Sequence, residues 1–280
     1  MQHKRTILLT GIPRSGTTLC CHLLNQQPNT VALHEPISSE SFNNSDRQLA
    51  IKVINEFVNS SRTEVLSSGL VQSKQLAGSI PSNPVKSDDG HLRKEQVSPG
   101  QMRVDETLSD DFLLVVKHNA LFTALVNDLV KGFMCYAVVR NPLATLLSWQ
   151  TVDLPIHQGY VPMGELFDPI LQRGLNERET IIDRQLYILR WFYRSFSENL
   201  DRKQIIRYED IVDTNGEALS IVLNHDFKPE SKLVNQNANR LYQDVNIELF
   251  LHRLIEEADI YSDFYDTNDL QKLAEQLRAL

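Results

Sequence analysis

No stretch of about 18 apolar residues occurs in the 280-residue chain, so no segment is long enough to cross a membrane as a helix. Cysteine is scarce: Cys20, Cys21 and Cys135 each sit inside an apolar run, without disulfide or metal-ligand spacing, and read as small buried hydrophobes. Positive charge is outnumbered, with 28 Lys and Arg against 36 Asp and Glu. The net charge of −8 argues against a nucleic-acid binder, which carries a basic stripe to replace counterions. It suits a neutral or cationic ligand, or simply a solvated acidic surface. The histidines are scattered without ligand spacing, so no metal is expected, and no internal repeat is present. Met1-Gln2-His3-Lys4-Arg5 leads into an apolar run ending at Gly11, too short and wrongly flanked for a signal peptide; a cytoplasmic protein with no membrane partner is expected.

What is present is an ordinary globular composition, 41% hydrophobic and 23% charged. One unit of this length can bury roughly 75% of its unfolded surface. Ile7 to Thr10 reads as a buried strand and Thr17 to Leu24 as a helix, with stop signals over 25–29. Val31 to Leu33 is a second short strand that leaves His34 and Glu35 at its end. Asp46 caps a helix with apolar positions Leu49, Val53, Ile54, Phe57 and Val58. Periodicity then fades over about 60–107, where Gly69, Gly78, Pro81, Pro84, Gly90, Pro99 and Gly100 lie among serines. Such an insertion is a lid or acceptor loop, or a loosely ordered surface excursion. Phe112 to Val116 is a strand delivering Lys117 and His118; a helix around Leu121 to Val130 follows, then the strand Phe133 to Val139. Asn141-Pro142 starts a helix. Glu177 to Leu200 reads as one long buried helix with a stripe of Ile182, Leu186, Leu189, Tyr193 and Phe196, flanked by Ile181, Ile188 and Phe192. Ile205 to Arg207 is another strand, and 245–258 and 267–280 are helical. Strands alternating with helices predict a single α/β domain over 1–280, a P-loop-like three-layer fold with a central parallel sheet flanked by helices.

Gly11-Ile12-Pro13-Arg14-Ser15-Gly16-Thr17-Thr18 lies between a predicted strand and a predicted helix, the setting of a phosphate-cradling loop. Unpaired N–H groups and the helix dipole attract an anion there. Gly16 permits close approach, Ser15, Thr17 and Thr18 offer hydroxyls, and Arg14 adds a charged fork. A triphosphate site would have Lys after the second glycine, where Thr17 stands, and a magnesium-holding Asp near Arg140. That weakens a nucleotide kinase or NTPase reading. A non-catalytic nucleotide-binding protein is a further alternative.

At these residues the chain resembles the sulfotransferases that use 3′-phosphoadenosine 5′-phosphosulfate (PAPS). Pro13-Arg14-Ser15-Gly16-Thr17-Thr18-Leu19 is similar to their 5′-phosphosulfate loop. Arg140 at a strand end with Ser148 eight residues on is similar to their 3′-phosphate motif, and Arg207-Tyr208-Glu209-Asp210 to a run whose Tyr lies near the adenosine. The resemblance spans residues 7 to about 212, and C-terminal nucleotide contacts stay open. It implies PAPS as co-substrate, PAP (adenosine 3′,5′-bisphosphate) as product, no metal, and a small-molecule acceptor. PAPS carries two separate anionic groups, which accounts for two anion sites.

Sulfuryl transfer also needs a base for the acceptor. By resemblance Glu35, in Leu33-His34-Glu35-Pro36, is the first candidate, with His34 and His118 as rivals; a capping or salt-bridging role for Glu35 is the alternative. Lys117 is similar to a strand-end Lys that stabilises the bridging oxygen, with a solvated strand terminus as the alternative. Leu8 to Cys20 and Lys117 to Ala124 look like cyanobacterial sulfotransferases that tailor saxitoxin-type toxins. That likeness implies N- or O-sulfation of a guanidinium-rich molecule, with 60–106 and 153–176 as acceptor walls.

Overall fold

The computed structural model describes residues 5–42, 44–86, 92–223 and 225–280. The N-terminal residues 1–4 and Gly90 of the expected insertion lie outside the described residues. The chain runs β1 (Thr6–Gly11), α1 (Thr17–Leu24), β2 (Thr30–His34) and α2 (Arg47–Ser68). Next come β3 (Leu70–Gln75), β4 (Val85–Lys86), β5 (Lys94–Glu95) and β6 (Ser98–Arg103), then β7 (Leu113–Lys117), α3 (Ala120–Leu129), β8 (Met134–Val139) and α4 (Pro142–Trp149). After α5 (Pro162–Phe167), α6 (Pro169–Asn176) and α7 (Ile181–Asn199) follow β9 (Ile205–Arg207), α8 (Tyr208–Asp213), α9 (Ile247–Glu256) and α10 (Thr267–Arg278).

β1, β2, β7, β8 and β9 form one parallel sheet in the order β2-β7-β1-β8-β9, flanked by helices. This is the α/β architecture expected from the alternation of elements. β1 and β7 are buried along their whole length, which is why they read as continuous apolar runs instead of alternating patterns. Because all five strands point the same way, the residues that follow them emerge on one edge. The loop after β1, His34 and Glu35 after β2, Lys117 after β7, Arg140 after β8 and Tyr208 after β9 share that edge. The order reverses at β1, with β7 on one side and β8 on the other, and such a switch point opens a crevice at the carboxyl ends of the strands.

β2 is an edge strand, and its outer side is covered by the Asn25 amide, which bonds Ala32 N–H and O, and by the polar antiparallel pair of β3 and β6. Ser73 Oγ of β3 accepts from the His34 backbone N–H at 3.0 Å, so a side chain completes what a neighbouring strand would supply.

Several boundaries differ from expectation. The Asp46-capped helix continues to Ser68, ending at Gly69 in the left-handed region (φ 67°), and the supposedly aperiodic segment then contains antiparallel β3 and β6. These strands carry few apolar residues, and only Val71, Ser73 and Met102 are buried in them, so no alternation signals them. The long helix begins at Ile181 instead of Glu177, because Thr180 Oγ1 caps Asp183 N–H. Ile181 is exposed there. The 153–176 stretch holds α5 and α6, each entered through a proline at its first turn.

Candidate active site

One cleft of about 1080 Å³ opens at the switch point. Its lining includes Pro13, Arg14, Gly16, Thr17 and Thr18 of the first loop, Arg140 and Ser148 of the second motif, and Tyr208. Glu35, Lys117, His34 and His118 line it too. Residues separated by more than a hundred positions therefore meet because a parallel sheet delivers them to one edge.

The first loop is built by tight packing against β8 and α8. Ile12 N–H donates to Val138 O at 3.1 Å, and Ser15 N–H closes a turn onto Ile12 O at 3.0 Å. Gly16 has φ 93°, and a Cβ there would lie 2.7 Å from Cδ2 of Tyr208, so the Tyr208 ring rests on the glycine. The helix ladder starts with Cys20 N–H to Gly16 O, so the amides of Thr17, Thr18 and Leu19 precede it at the positive end of α1. Arg14 adopts φ 71°, a left-handed conformation costing about 1–3 kcal/mol for a non-glycine residue. Ser15 departs from expectation: it is fully buried and its Oγ donates to Val138 O at 2.9 Å. Its hydroxyl fastens the loop to β8 and is not a donor into the cleft.

Arg140 is a tie between loops. Its Nε donates to Asn237 Oδ1 (2.7 Å), Nη1 to Arg14 O (3.0 Å) and Nη2 to Gln236 O (2.7 Å), while its guanidinium carbon lies 4.7 Å from the centre of the Tyr208 ring. Asn237 in turn donates to Glu209 Oε1 (2.7 Å), which also accepts from Asn141 N–H (3.0 Å). Tyr208 Oη accepts from Gln236 N–H at 3.0 Å. The Arg207-Tyr208-Glu209 run thus anchors the C-terminal segment over the loop.

Sequence reasoning missed Arg93. It is buried beside Ser148 and donates from Nη2 to Thr151 Oγ1 (2.5 Å) and to Ser148 Oγ (3.4 Å). Arg14 Nε approaches the same Ser148 Oγ at 3.5 Å. Among the described residues no carboxylate pairs with Arg14, Arg93 or Arg140. Burial, with Arg93 and Arg140 adding repulsion, lowers the Arg14 guanidinium to about 9. Burial also lowers Arg93. Burial alone would raise the nearby Tyr242 phenol, but Arg140, Ser148 and Arg93 pull it below its ordinary value. Keeping such a cluster out of water costs several kcal/mol per ion unless an anion offsets it.

Around Glu35 the charges are balanced. Glu35 leaves β2 with φ 42°, its N–H on Lys117 O at 2.8 Å. Lys117, 2% exposed, donates to Glu35 Oε1 at 2.7 Å; Lys74 of β3 donates to Glu35 Oε2 at 3.1 Å and to Glu95 Oε1 of β5 at 3.0 Å. Burial would raise the Glu35 carboxyl, but Lys117 first and then Lys74 hold it well below the usual carboxylate range. His34, Glu35 and Glu95 bring potential metal-ligand atoms within 4.8 Å of one another, but the Lys74 ammonium already bridges the two carboxylates.

The rival bases fare differently. His118 Nε2 accepts from Ile37 N–H at 3.1 Å, and burial lowers the ring to about 3, so its acceptor nitrogen is engaged in holding the turn after β2. His34 is buried and held neutral, lowered to about 2 by burial and then Lys117; its Nδ1 lies 3.4 Å from Lys117 Nζ. Lys74, Glu95 and Asn237 had no motif to reveal them.

The described lining carries seven cations (Arg14, Lys74, Lys86, Arg93, Lys117, Arg140 and Lys232) against Glu35 and Glu95. The acidic balance of the whole chain is therefore reversed inside the cleft.

No protein-family model matches the chain, and no curated protein is significantly similar to it. Among solved structures it is similar to a sulfotransferase from Alicyclobacillus acidocaldarius, with 11% identity, a TM-score of 0.39, and coverage of 95% of this chain and 98% of the other. A sulfotransferase from Mycobacterium tuberculosis H37Rv is similar at 12% identity and a TM-score of 0.34, covering 89% of this chain and 76% of the other. Scores this low leave the reading of the site to its own residues.

Proposed function

We propose that the chain is a PAPS-dependent sulfotransferase acting on a hydroxyl or an amine or carbamoyl nitrogen of a small molecule. The observation that supports this most is the single cleft shared by the loop over 13–18, the arginine cluster at Ser148, and the Glu35/Lys117 pair. PAPS brings roughly three to four negative charges at neutral pH, split between two ends, which suits a cation-rich cleft with two anion sites. A metal-bound triphosphate suits it less: Thr17 replaces the phosphate-reaching lysine, and Arg140 stands where a metal-holding carboxylate is needed.

In the proposed reaction the acceptor oxygen or nitrogen attacks sulfur in line. The bond from sulfur to the bridging oxygen breaks, PAP departs with that oxygen, and the acceptor proton passes to Glu35. Lys117 moves toward the bridging oxygen as charge develops on it, a contribution of roughly 10²–10³ in rate. The same movement takes from Glu35 the strongest charge holding its pKa down, so the carboxylate becomes a better base as the leaving group is stabilised. A guanidinium alkaloid, the acceptor implied by resemblance, would have to compete with Lys74 for Glu35 and Glu95.

Two measurements test the reading. PAP should bind without metal and more tightly than ATP with magnesium; the reverse preference refutes the proposal. Candidate acceptors incubated with PAPS should gain the mass of one sulfuryl group, and fragmentation distinguishes N- from O-sulfation.

A further inference from the structure

Arg93 belongs to none of the motifs read from the sequence, yet it sits in the middle of the cation cluster. Its backbone is fixed by a parallel bridge to Val152: Arg93 N–H donates to Thr151 O (3.0 Å), and Asp153 N–H donates to Arg93 O (2.8 Å). The residue is 8% exposed, with Nε also near Thr151 O at 3.3 Å. Every partner in this set is a neutral oxygen. Neutral acceptors orient a guanidinium without cancelling its charge, which leaves the charge for something else.

That something else has a defined position. Arg93 Nη2 and Arg14 Nε converge on Ser148 Oγ from 3.4 and 3.5 Å. One hydroxyl cannot neutralise two cations. Tyr242, lowered by this surrounding despite its burial, is the weak acid that faces them. Arg140 also bonds neutral oxygens, but its Nε, Nη1 and Nη2 are directed at Asn237, Arg14 O and Gln236 O and not at Ser148. The guanidiniums aimed at Ser148 are thus Arg14 and Arg93, one from the first loop and one from the insertion.

Building on the sulfotransferase reading, we infer that Arg93 is a direct ligand of the 3′-phosphate of PAPS, pairing with Arg14 across Ser148 while Arg140 holds the surrounding loops in place. A phosphate dianion matches two guanidiniums in charge and in forked geometry. Glu95, two residues on, receives Lys74, which also holds Glu35. The same short segment therefore touches both the phosphate end and the reacting end of the cleft. If Arg93 were only a staple for the insertion, its loss would lower stability and leave nucleotide selectivity unchanged.

The test is calorimetric titration of the full chain with PAP and with 5′-AMP, which lacks the 3′-phosphate. The unaltered protein should favour PAP. Arg93→Ala should weaken PAP by about 10–100-fold, as for one charge-assisted pair, and leave 5′-AMP within about twofold. Arg93→Gln should behave like Arg93→Ala while keeping the bond to Thr151, and Arg93→Lys should lose less; these two carry the test if the alanine variant does not fold. If the unaltered chain binds PAP no better than 5′-AMP, the sulfotransferase reading falls. If it does discriminate and the variants keep the full PAP to 5′-AMP ratio, the Arg93 assignment alone is overturned.

Discussion

Replacing Glu35 by glutamine removes one charge and almost no volume, and the structure sets two separate consequences. The first is stability. Lys117 Nζ is buried 2.7 Å from Glu35 Oε1, and stranding one partner of a buried pair costs about 3–5 kcal/mol. Glu35 itself is 25% exposed, and glutamine still offers the ammonium an oxygen, so about 2 kcal/mol is the expected loss. At about 2–4 °C per kcal/mol for a domain of this size, Tm falls by roughly 4–8 °C. The second consequence is kinetic: without the base, turnover falls by about 10²–10⁴-fold while PAP binding persists. Thermal denaturation and PAPS turnover are measured for Glu35→Gln, Lys117→Met and the double variant. In the Lys117→Met background the buried ammonium is gone and Lys74 keeps Glu95, so adding Glu35→Gln should cost at least about 1 kcal/mol less than it does alone. Near-normal turnover of Glu35→Gln would falsify its role as base. An equal loss of stability in both backgrounds would refute the pairing.

Gly16→Ala places a Cβ 2.7 Å from the Tyr208 ring at φ 93°; a loss of about 2–4 kcal/mol in denaturant unfolding is expected, and a neutral effect would contradict the packing of α8 on the loop. Arg140→Ala releases Arg14 O, Gln236 and Asn237 together, so PAP affinity should drop by about 10–100-fold in calorimetry; unchanged affinity would show that the cradle does not depend on this tie. Lys74→Ala frees Glu95 and one oxygen of Glu35, and should tighten binding of a guanidinium acceptor relative to a neutral one; an unaltered ratio would place the acceptor elsewhere. Glu35 is held below its ordinary value, so its stabilisation is full above about pH 5 and fades only as pH falls through the lowered value. The acid limb of kcat/KM should accordingly lie below about pH 5, and a limb well above that would refute Glu35 as the base.

The parallel sheet was legible because its strands are short apolar runs ending in punctuation, and because Asp46, Asn141 and Pro142 are unambiguous helix starts. The loop over 13–18, Arg140 and Tyr208 were legible as local patterns with fixed spacing. Arg93, Lys74 and Glu95 were not. They lie on β3, on β5 and beside β5, polar pieces whose order comes from contacts with β6, Thr151 and Glu35, and no periodicity records such contacts. Ser15 and His118 mislead for a related reason. Residue type shows that a hydroxyl or imidazole is present, but only the fold shows that Val138 O and Ile37 N–H already engage them.

The hydroxyl of Ser73 that closes the side of β2 has a consequence for how far the chain can be trimmed. Removing the β3–β6 pair between α2 and β7 would uncover the outer side of β2 at His34 and leave the Asn25 amide on Ala32 as its remaining cover, an edge onto which another molecule could add a strand. A shortened variant should therefore self-associate even if its remaining sheet folds, which makes this polar excursion a guard against aggregation as well as a wall of the cleft.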